Sequence, residues 1–258
     1  MRFLIACIKF FFFVLLCLVV VPTQLIVLLL HKGNGAYIMP WLWQKAVCKI
    51  FRIKIQVTGT PYTDTQTIYI GNHISYLDIP AVGSILRASF VAKKDVASWP
   101  VFGFLSKLQQ TAFISRSRED AKKEKHALDT MLDEGKSLII FPEGTSTDGR
   151  EVLPFKSSLF SIAYKEGLED IRIQPITINM TCVDKRDVKT QDDRDIYSWH
   201  LNMDTPLEKH LWRFALSRGA TISLNFHDVL KASELKDRKT LAKACYNAVS
   251  NGLKTTHI

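Results

Sequence analysis

Hydrophobic and polar positions divide the chain into two unequal parts. From Phe10 to Leu30, 21 positions carry no charge. Such a run predicts a helix about 31 Å long, close to the hydrocarbon thickness of a bilayer. Arg2 and Lys9 precede it; His31 and Lys32 follow it. The h-region of a cleaved signal peptide would be shorter, and no small-x-small cleavage site follows. Pro22 falls inside the run, which predicts either a kinked span or a re-entrant helical pair. Gly33-Asn34-Gly35 then marks a turn. Beyond it, Trp41, Trp43, Lys45 and Lys49 stand among Ala46, Val47, Ile50 and Phe51. That pattern suits an interfacial helix and equally an ordinary amphipathic surface helix.

From Arg52 onward the period changes. Ile53–Val57 alternates with period two and predicts a half-buried strand. Further strands are predicted at 67–70, 89–92, 111–114, 171–178 and 221–226. Residues 137–141 form a continuous apolar run after Gly135, the mark of a central buried strand. Helical patterns lie between, at 79–86, 101–108, 118–134, 158–167, 207–216 and 234–253. The charged stretch Asp184–Asp195 is expected to be a surface loop. Strands alternating with helices predict an α/β fold: a single mixed, largely parallel sheet flanked by helices. The expected organisation is a membrane-anchoring, membrane-embedded helical segment over 1–51 and one α/β domain over 52–258.

Charge sharpens this division. Residues 1–63 hold seven Lys and Arg and no acid, out of a net charge of +9 for the 258-residue chain. The basic character therefore belongs to the N-terminal segment, which points to anionic lipid head groups. No interleaved basic and aromatic pattern indicates nucleic acid. The five Cys are odd in number and include no Cys-x-x-Cys, so neither a disulfide framework nor a zinc site is expected.

The candidate chemistry follows the predicted strand ends, where sites in such folds collect. His73 comes just after the strand at 67–70, with Asp78 five residues on. A His with a carboxylate in loop reach is a general base with its orienter; the alternative is a core histidine and a helix N-cap. Lys93-Lys94 ends the next strand, Arg116 and Arg118 follow the one at 111–114, and Phe141-Pro142-Glu143-Gly144-Thr145-Ser146 follows the central one. Together they offer a base, a carboxylate, cations for an anionic group and a turn with free backbone N–H groups. Those parts suit acyl transfer to the hydroxyl of an anionic acceptor. No Gly-x-Ser-x-Gly occurs, which disfavours a serine hydrolase.

Over roughly residues 50–230 the chain resembles the glycerolipid acyltransferase family, which includes bacterial 1-acylglycerol-3-phosphate acyltransferases. The resemblance rests on Asn72-His73-x-Ser75-x-x-Asp78, on Phe113-Ile114-x-Arg116 and on Phe141–Ser146, in the family's order and spacing. It implies an O-acyltransferase that moves a fatty acyl group from acyl-coenzyme A or acyl carrier protein to the sn-2 hydroxyl of lysophosphatidate. The thioester is then a co-substrate, and no cofactor or metal is needed. It implies His73 as base and Asp78 as its orienter, with Arg116 binding the acceptor phosphate. Lys94, Glu143, Gly144 and Thr145 are the other expected substrate-binding residues; Glu143 is open between holding the acceptor and anchoring its loop. The expected location is the cytoplasmic membrane, with the site facing the cytoplasm. Gln110 and Ser115 depart from the family's second block, and Gln174-Pro175-Ile176 departs from its fourth. The segment from Tyr197 to Trp212 is similar to a subgroup that includes lyso-ornithine lipid acyltransferases, so lyso-ornithine lipid stands as the alternative acceptor. A non-catalytic lipid-binding protein is the alternative of another class.

Overall fold

A computed structural model of the chain describes residues 1–30, 33–114, 121–168, 170–200 and 203–255. The chain opens with α1 (Arg2–Leu30) and α2 (Ile38–Phe51). Then come β1 (Ile53–Thr58), β2 (Thr67–Gly71), α3 (Asp78–Gly83), β3 (Ser89–Lys93), α4 (Phe102–Leu108), β4 (Ala112–Ile114), α5 (Ala121–Asp133) and β5 (Leu138–Ile140). The last third holds β6 (Arg172–Val183), β7 (Arg186–Asp187), α6 (Gln191–Arg194), α7 (Leu207–Leu216), β8 (Ala220–Phe226), β9 (Leu230–Lys231) and α8 (Arg238–Thr255).

The strands form one nine-stranded sheet in the order β1-β8-β6-β2-β5-β3-β4, with β7 and β9 paired to β6. Neighbours along that order are parallel except β6 and β8. The sheet is mixed and largely parallel, as its pattern predicts. β2 and β5 are buried throughout because helices cover both faces. Tyr69 and Ile139 point to one face, into a cluster with Phe51 of α2, Val82 of α3 and Phe214 of α7. Ile68, Ile70, Leu138 and Ile140 point to the other, against Leu128 and Leu132 of α5 and Leu241 and Cys245 of α8. This two-sided burial is why these strands read as unbroken apolar runs.

The N-terminal run is one helix, continuous through Pro22 to Leu30. Just after the proline, Thr23 donates its Oγ1 hydrogen to the Val19 carbonyl, four residues back. The chain reverses only afterwards, and α2 packs back on α1 through Phe10 with Phe51 and Phe13 with Trp43. Ala6, Phe10, Phe13 and Leu16 pack into the core of the sheet's first face. Lys9 donates to the Ala215 and Ser217 carbonyls at 2.8 and 2.9 Å, and Gln24 donates to those of Ala36 and Leu108. One face of α1 is thus fastened to the body from Ala6 to Gln24. Phe3, Phe11, Phe12, Leu18, Val19 and Ile26 on its other face are exposed. A 29-residue helix of this apolarity with an uncovered face fits membrane association.

Three elements differ from their sequence patterns. Residues 157–164 are a 3-10 helix in place of an α-helix; Leu159 N–H bonds to the Lys156 carbonyl three residues back. The charged stretch 184–195 contains β7, which pairs back on the end of β6, and α6, which Thr190 and Asp193 open with a capping box. α8 begins at Arg238, since Asp237 Oδ1 accepts the N–H groups of Lys239 and Thr240 as an N-cap.

Candidate active site

Parallel pairing of β2, β5, β3 and β4 brings their C-terminal ends to one edge of the sheet. The loop after β2 carries His73, the turn after β5 carries Glu143 and Gly144, and Lys94 follows β3. β2 is joined to β6 beyond its last residue by Asn72. The buried amide donates to the Ile178 carbonyl at 2.9 Å and accepts the Ile178 N–H at 2.7 Å, a side chain replacing one rung of the ladder. The chain can then leave the sheet at His73 with no backbone group of Ile178 stranded.

His73 Nδ1 lies 2.8 Å from Asp78 Oδ2. An ionised carboxylate only accepts, so Nδ1 carries the proton and Nε2 is left as the nitrogen with the lone pair. The His73 side chain is 20% exposed and Asp78 is fully buried, so the open end of the pair is the imidazole. Asp78 Oδ2 also accepts the N–H groups of Ile74 and Ser75, at 2.7 and 2.9 Å. Oδ1 accepts the phenol of Tyr197 at 3.0 Å. Asp78 is the first residue of α3, but its carboxylate turns back into the His73 loop and satisfies no helix donor further on. The imidazole lies flat on Phe141, centroids 4.4 Å apart and planes 2° apart. Both χ angles of the ring are therefore held, by a hydrogen bond at one side and a stack at its face.

Glu143 is buried and bonds to backbone alone: Oε1 accepts the N–H of His73 and Oε2 that of Leu153, each at 2.7 Å. Burial pushes its carboxyl up to about 7; the Leu153 and His73 N–H groups pull the other way, and the charge of Asp78 adds to the rise. Gly144 has φ +67°, and a Cβ there would lie 2.2 Å from Lys156 Nζ, so this lysine passes directly over the turn. Thr147 N–H bonds to the His73 carbonyl, and Lys156 N–H to that of Pro142. Thr145 is half-buried in the same turn. Lys94 is exposed on the same sheet edge, two strands from β2. Arg116 and Arg118 lie outside the described residues.

A distant segment closes over this loop. Trp199 N–H bonds to the Ile74 carbonyl, and Ser146 Oγ donates to the Trp199 carbonyl at 2.7 Å. Trp199 meets Tyr76 and Trp99 edge-on, each at 6.0 Å. Tyr76 bonds to His210 Nδ1 at 3.0 Å, and burial pushes that imidazole down to about 4, so it is neutral. Asn72, Phe141, Lys156 and Tyr197 all shape the site. The sequence shows Asn72 and Phe141 inside the motifs but not what they do. Lys156 and Tyr197 are 83 and 124 residues from His73, and no local pattern ties them to it.

The sheet thus presents, at one edge, a histidine oriented by a buried carboxylate, an arrangement suited to general-base chemistry on a bound substrate. Residues 54–179 match the family model described as Acyltransferase. A lyso-ornithine lipid O-acyltransferase of Rhodobacter capsulatus is 35% identical, over 89% of this chain and 82% of that one. A 1-acyl-sn-glycerol-3-phosphate acyltransferase of Neisseria gonorrhoeae is 33% identical, over 70% of this chain and 67% of that one. The chain belongs to the acyltransferase family. The crystal structure of the 1-acyl-sn-glycerophosphate (LPA) acyltransferase of Thermotoga maritima shares its fold, with a TM-score of 0.72 at 19% identity over 100% of this chain and 98% of that one.

Proposed function

We propose that this acyltransferase moves a fatty acyl group from an acyl thioester to the free hydroxyl of lyso-ornithine lipid, with His73 as general base. The observation that carries the chemistry is the 2.8 Å contact of His73 Nδ1 with Asp78, which leaves Nε2 for the substrate. Nε2 takes the hydroxyl proton as the oxygen attacks the thioester carbonyl. Asp78 stabilises the imidazolium that forms. Collapse of the tetrahedral intermediate breaks the C–S bond, and the leaving thiolate takes the proton back from Nε2. No acyl-enzyme is formed.

Arg116 and Lys94 are read as cations for the acceptor's anionic group, since a guanidinium fork suits a carboxylate as well as a phosphate. Glu143 is read as the anchor of the His73 loop, with Gly144 and Thr145 lining the acceptor side. Residues 1–51 hold the site at the membrane, facing the cytoplasm, and the donor is acyl-coenzyme A or acyl carrier protein. Lyso-ornithine lipid is favoured by the near full-length likeness to the Rhodobacter capsulatus protein, and by a second lyso-ornithine lipid O-acyltransferase, of Brucella abortus, 29% identical over 89% of this chain. Lysophosphatidate is the second reading, supported by the Neisseria gonorrhoeae relative.

The test is a panel: the purified chain in mixed micelles with an acyl thioester and either lyso-ornithine lipid or lysophosphatidate. Higher kcat/KM on lyso-ornithine lipid is expected, and a preference for lysophosphatidate would reverse the order. His73→Ala should abolish transfer to both; transfer persisting at the wild-type rate would end the general-base reading.

A further inference from the structure

Asp78 has two oxygens, and the His73 loop occupies only one of them. Oδ2 takes His73 Nδ1 and the two backbone N–H groups; Oδ1 takes the Tyr197 hydroxyl. Tyr197 comes from the far side of the chain, 119 residues on, in the segment between α6 and α7. It is fully buried, and its ring packs edge-on against Phe214 of α7 at 5.9 Å. The segment is fastened on both sides of it. Arg194 Nη1 donates to the Asp148 carbonyl, and Trp199 is bonded to Ile74 and Ser146. A rigid donor held by independent anchors is what a buried carboxylate needs to keep a single rotamer.

We propose that Tyr197 is a positioning residue of the active site: its hydroxyl fixes the Asp78 carboxylate, and through it the tautomer and direction of the His73 imidazole. This rests on His73 being the base. The alternative use of a buried phenol is packing alone. A phenylalanine would then serve as well, and nothing in the packing against Phe214 requires the oxygen. The oxygen nevertheless stands 3.0 Å from the one carboxylate oxygen that the loop leaves unpaired. The phenol also keeps its proton: burial and the neighbouring Asp78 charge push it well above the usual tyrosine range, so it donates at every working pH.

Tyr197→Phe removes one oxygen and keeps the ring. The remaining donors to Asp78 would hold it less firmly, and the positive end of an O–H dipole would be gone from beside the pair. The imidazolium then becomes easier to form. We expect kcat to fall about tenfold, the loss of one hydrogen bond to a charged group. KM for either substrate should stay within about twofold. The acid limb of the kcat/KM profile should move to higher pH. Among the described residues, Glu143 acts on Asp78, and Cys48 and Tyr76 face Tyr197. All three are present in both proteins, so the displacement reports Tyr197.

Phe214→Leu is the companion variant, since it loosens the ring's packing without touching Asp78. It should lower the melting temperature and leave the acid limb in place. Wild-type kcat and pH profile in Tyr197→Phe would overturn the inference. So would a rate loss that follows the folded fraction with an unmoved acid limb. Inactive His73→Ala beside unaffected Tyr197→Phe would sink this inference alone, whereas active His73→Ala would sink the general-base reading beneath it.

Discussion

Glu143 accepts the backbone N–H of His73 at 2.7 Å, so the acid of one strand-end turn holds in place the main chain that carries the imidazole of the neighbouring loop. Its second oxygen accepts Leu153 N–H at the same distance. The Glu143 side chain acts as a staple between the loop after β2, the turn after β5 and the segment that leads to Lys156, with one oxygen on each backbone N–H.

This staple predicts a pH dependence of stability. The Glu143 carboxyl stands at about 7 in the fold, against an ordinary value of 4.5. Between those values the folded protein keeps a proton that the unfolded chain has lost. The group's contribution is therefore complete below pH ~4.5 and is lost as pH rises toward ~7, by about 3 kcal/mol. Glu143→Gln does not titrate, so its melting temperature should fall less than wild type between pH ~5 and ~7. Above pH ~7, where the wild-type carboxyl is ionised and accepts at both oxygens, the variant's NH2 meets one of the two backbone N–H groups, which should cost about 1–3 kcal/mol. Thermal unfolding from pH ~5 to ~8 checks both; parallel curves for the two proteins would refute the linkage.

Asp78→Asn should cost far more activity than stability would explain. The amide can accept from His73 or from the loop N–H groups but cannot serve them all, and its NH2 favours the wrong imidazole tautomer. A fall in kcat of about 10²–10⁴ is expected, with a folded protein by circular dichroism. A loss under about threefold would remove Asp78 from the site.

Gly144→Ala tests the turn over which Lys156 passes. A φ of +67° suits glycine and strains alanine, and the new methyl would meet Lys156 Nζ. The backbone term should cost about 1 kcal/mol. The lysine end can swing away, so the main kinetic effect expected is a higher KM for the lyso-lipid. Initial rates at varied acceptor concentration measure it, and an unchanged KM would remove Gly144 from the acceptor side.

Lys9→Met tests how the N-terminal helix is attached. The ammonium caps the carbonyls of Ala215 and Ser217 at the C-terminal end of α7, where a cation is favoured. Methionine fills similar space but donates nothing, so two carbonyls lose their partner. A loss of about 2–3 kcal/mol is expected, together with faster proteolysis at the α1–α7 contact. An unaltered cleavage rate would show that the apolar contacts of Phe10 and Phe13 suffice.

What the sequence determined by itself is whatever its local pattern encodes. The 21-residue uncharged run, the alternating strands and the unbroken apolar run at 137–141 each follow from how one element meets its solvent. The His73–Asp78 pair was legible for a similar reason: five residues apart, both partners ride on one loop, and the motif that holds them is continuous. The strand-end positions of Lys94 and Glu143 follow from the same pattern. Only the tertiary structure decided which strand ends meet. The order β6-β2-β5 sets Glu143 against His73 N–H and Asn72 against Ile178. The segment after α6 delivers Tyr197 to Asp78, and α1 is fastened to α7 through Lys9. These contacts join residues 70 to 206 positions apart. Chain neighbours constrain one another through sterics and period, whereas such distant pairs are chosen by the packing of the whole core.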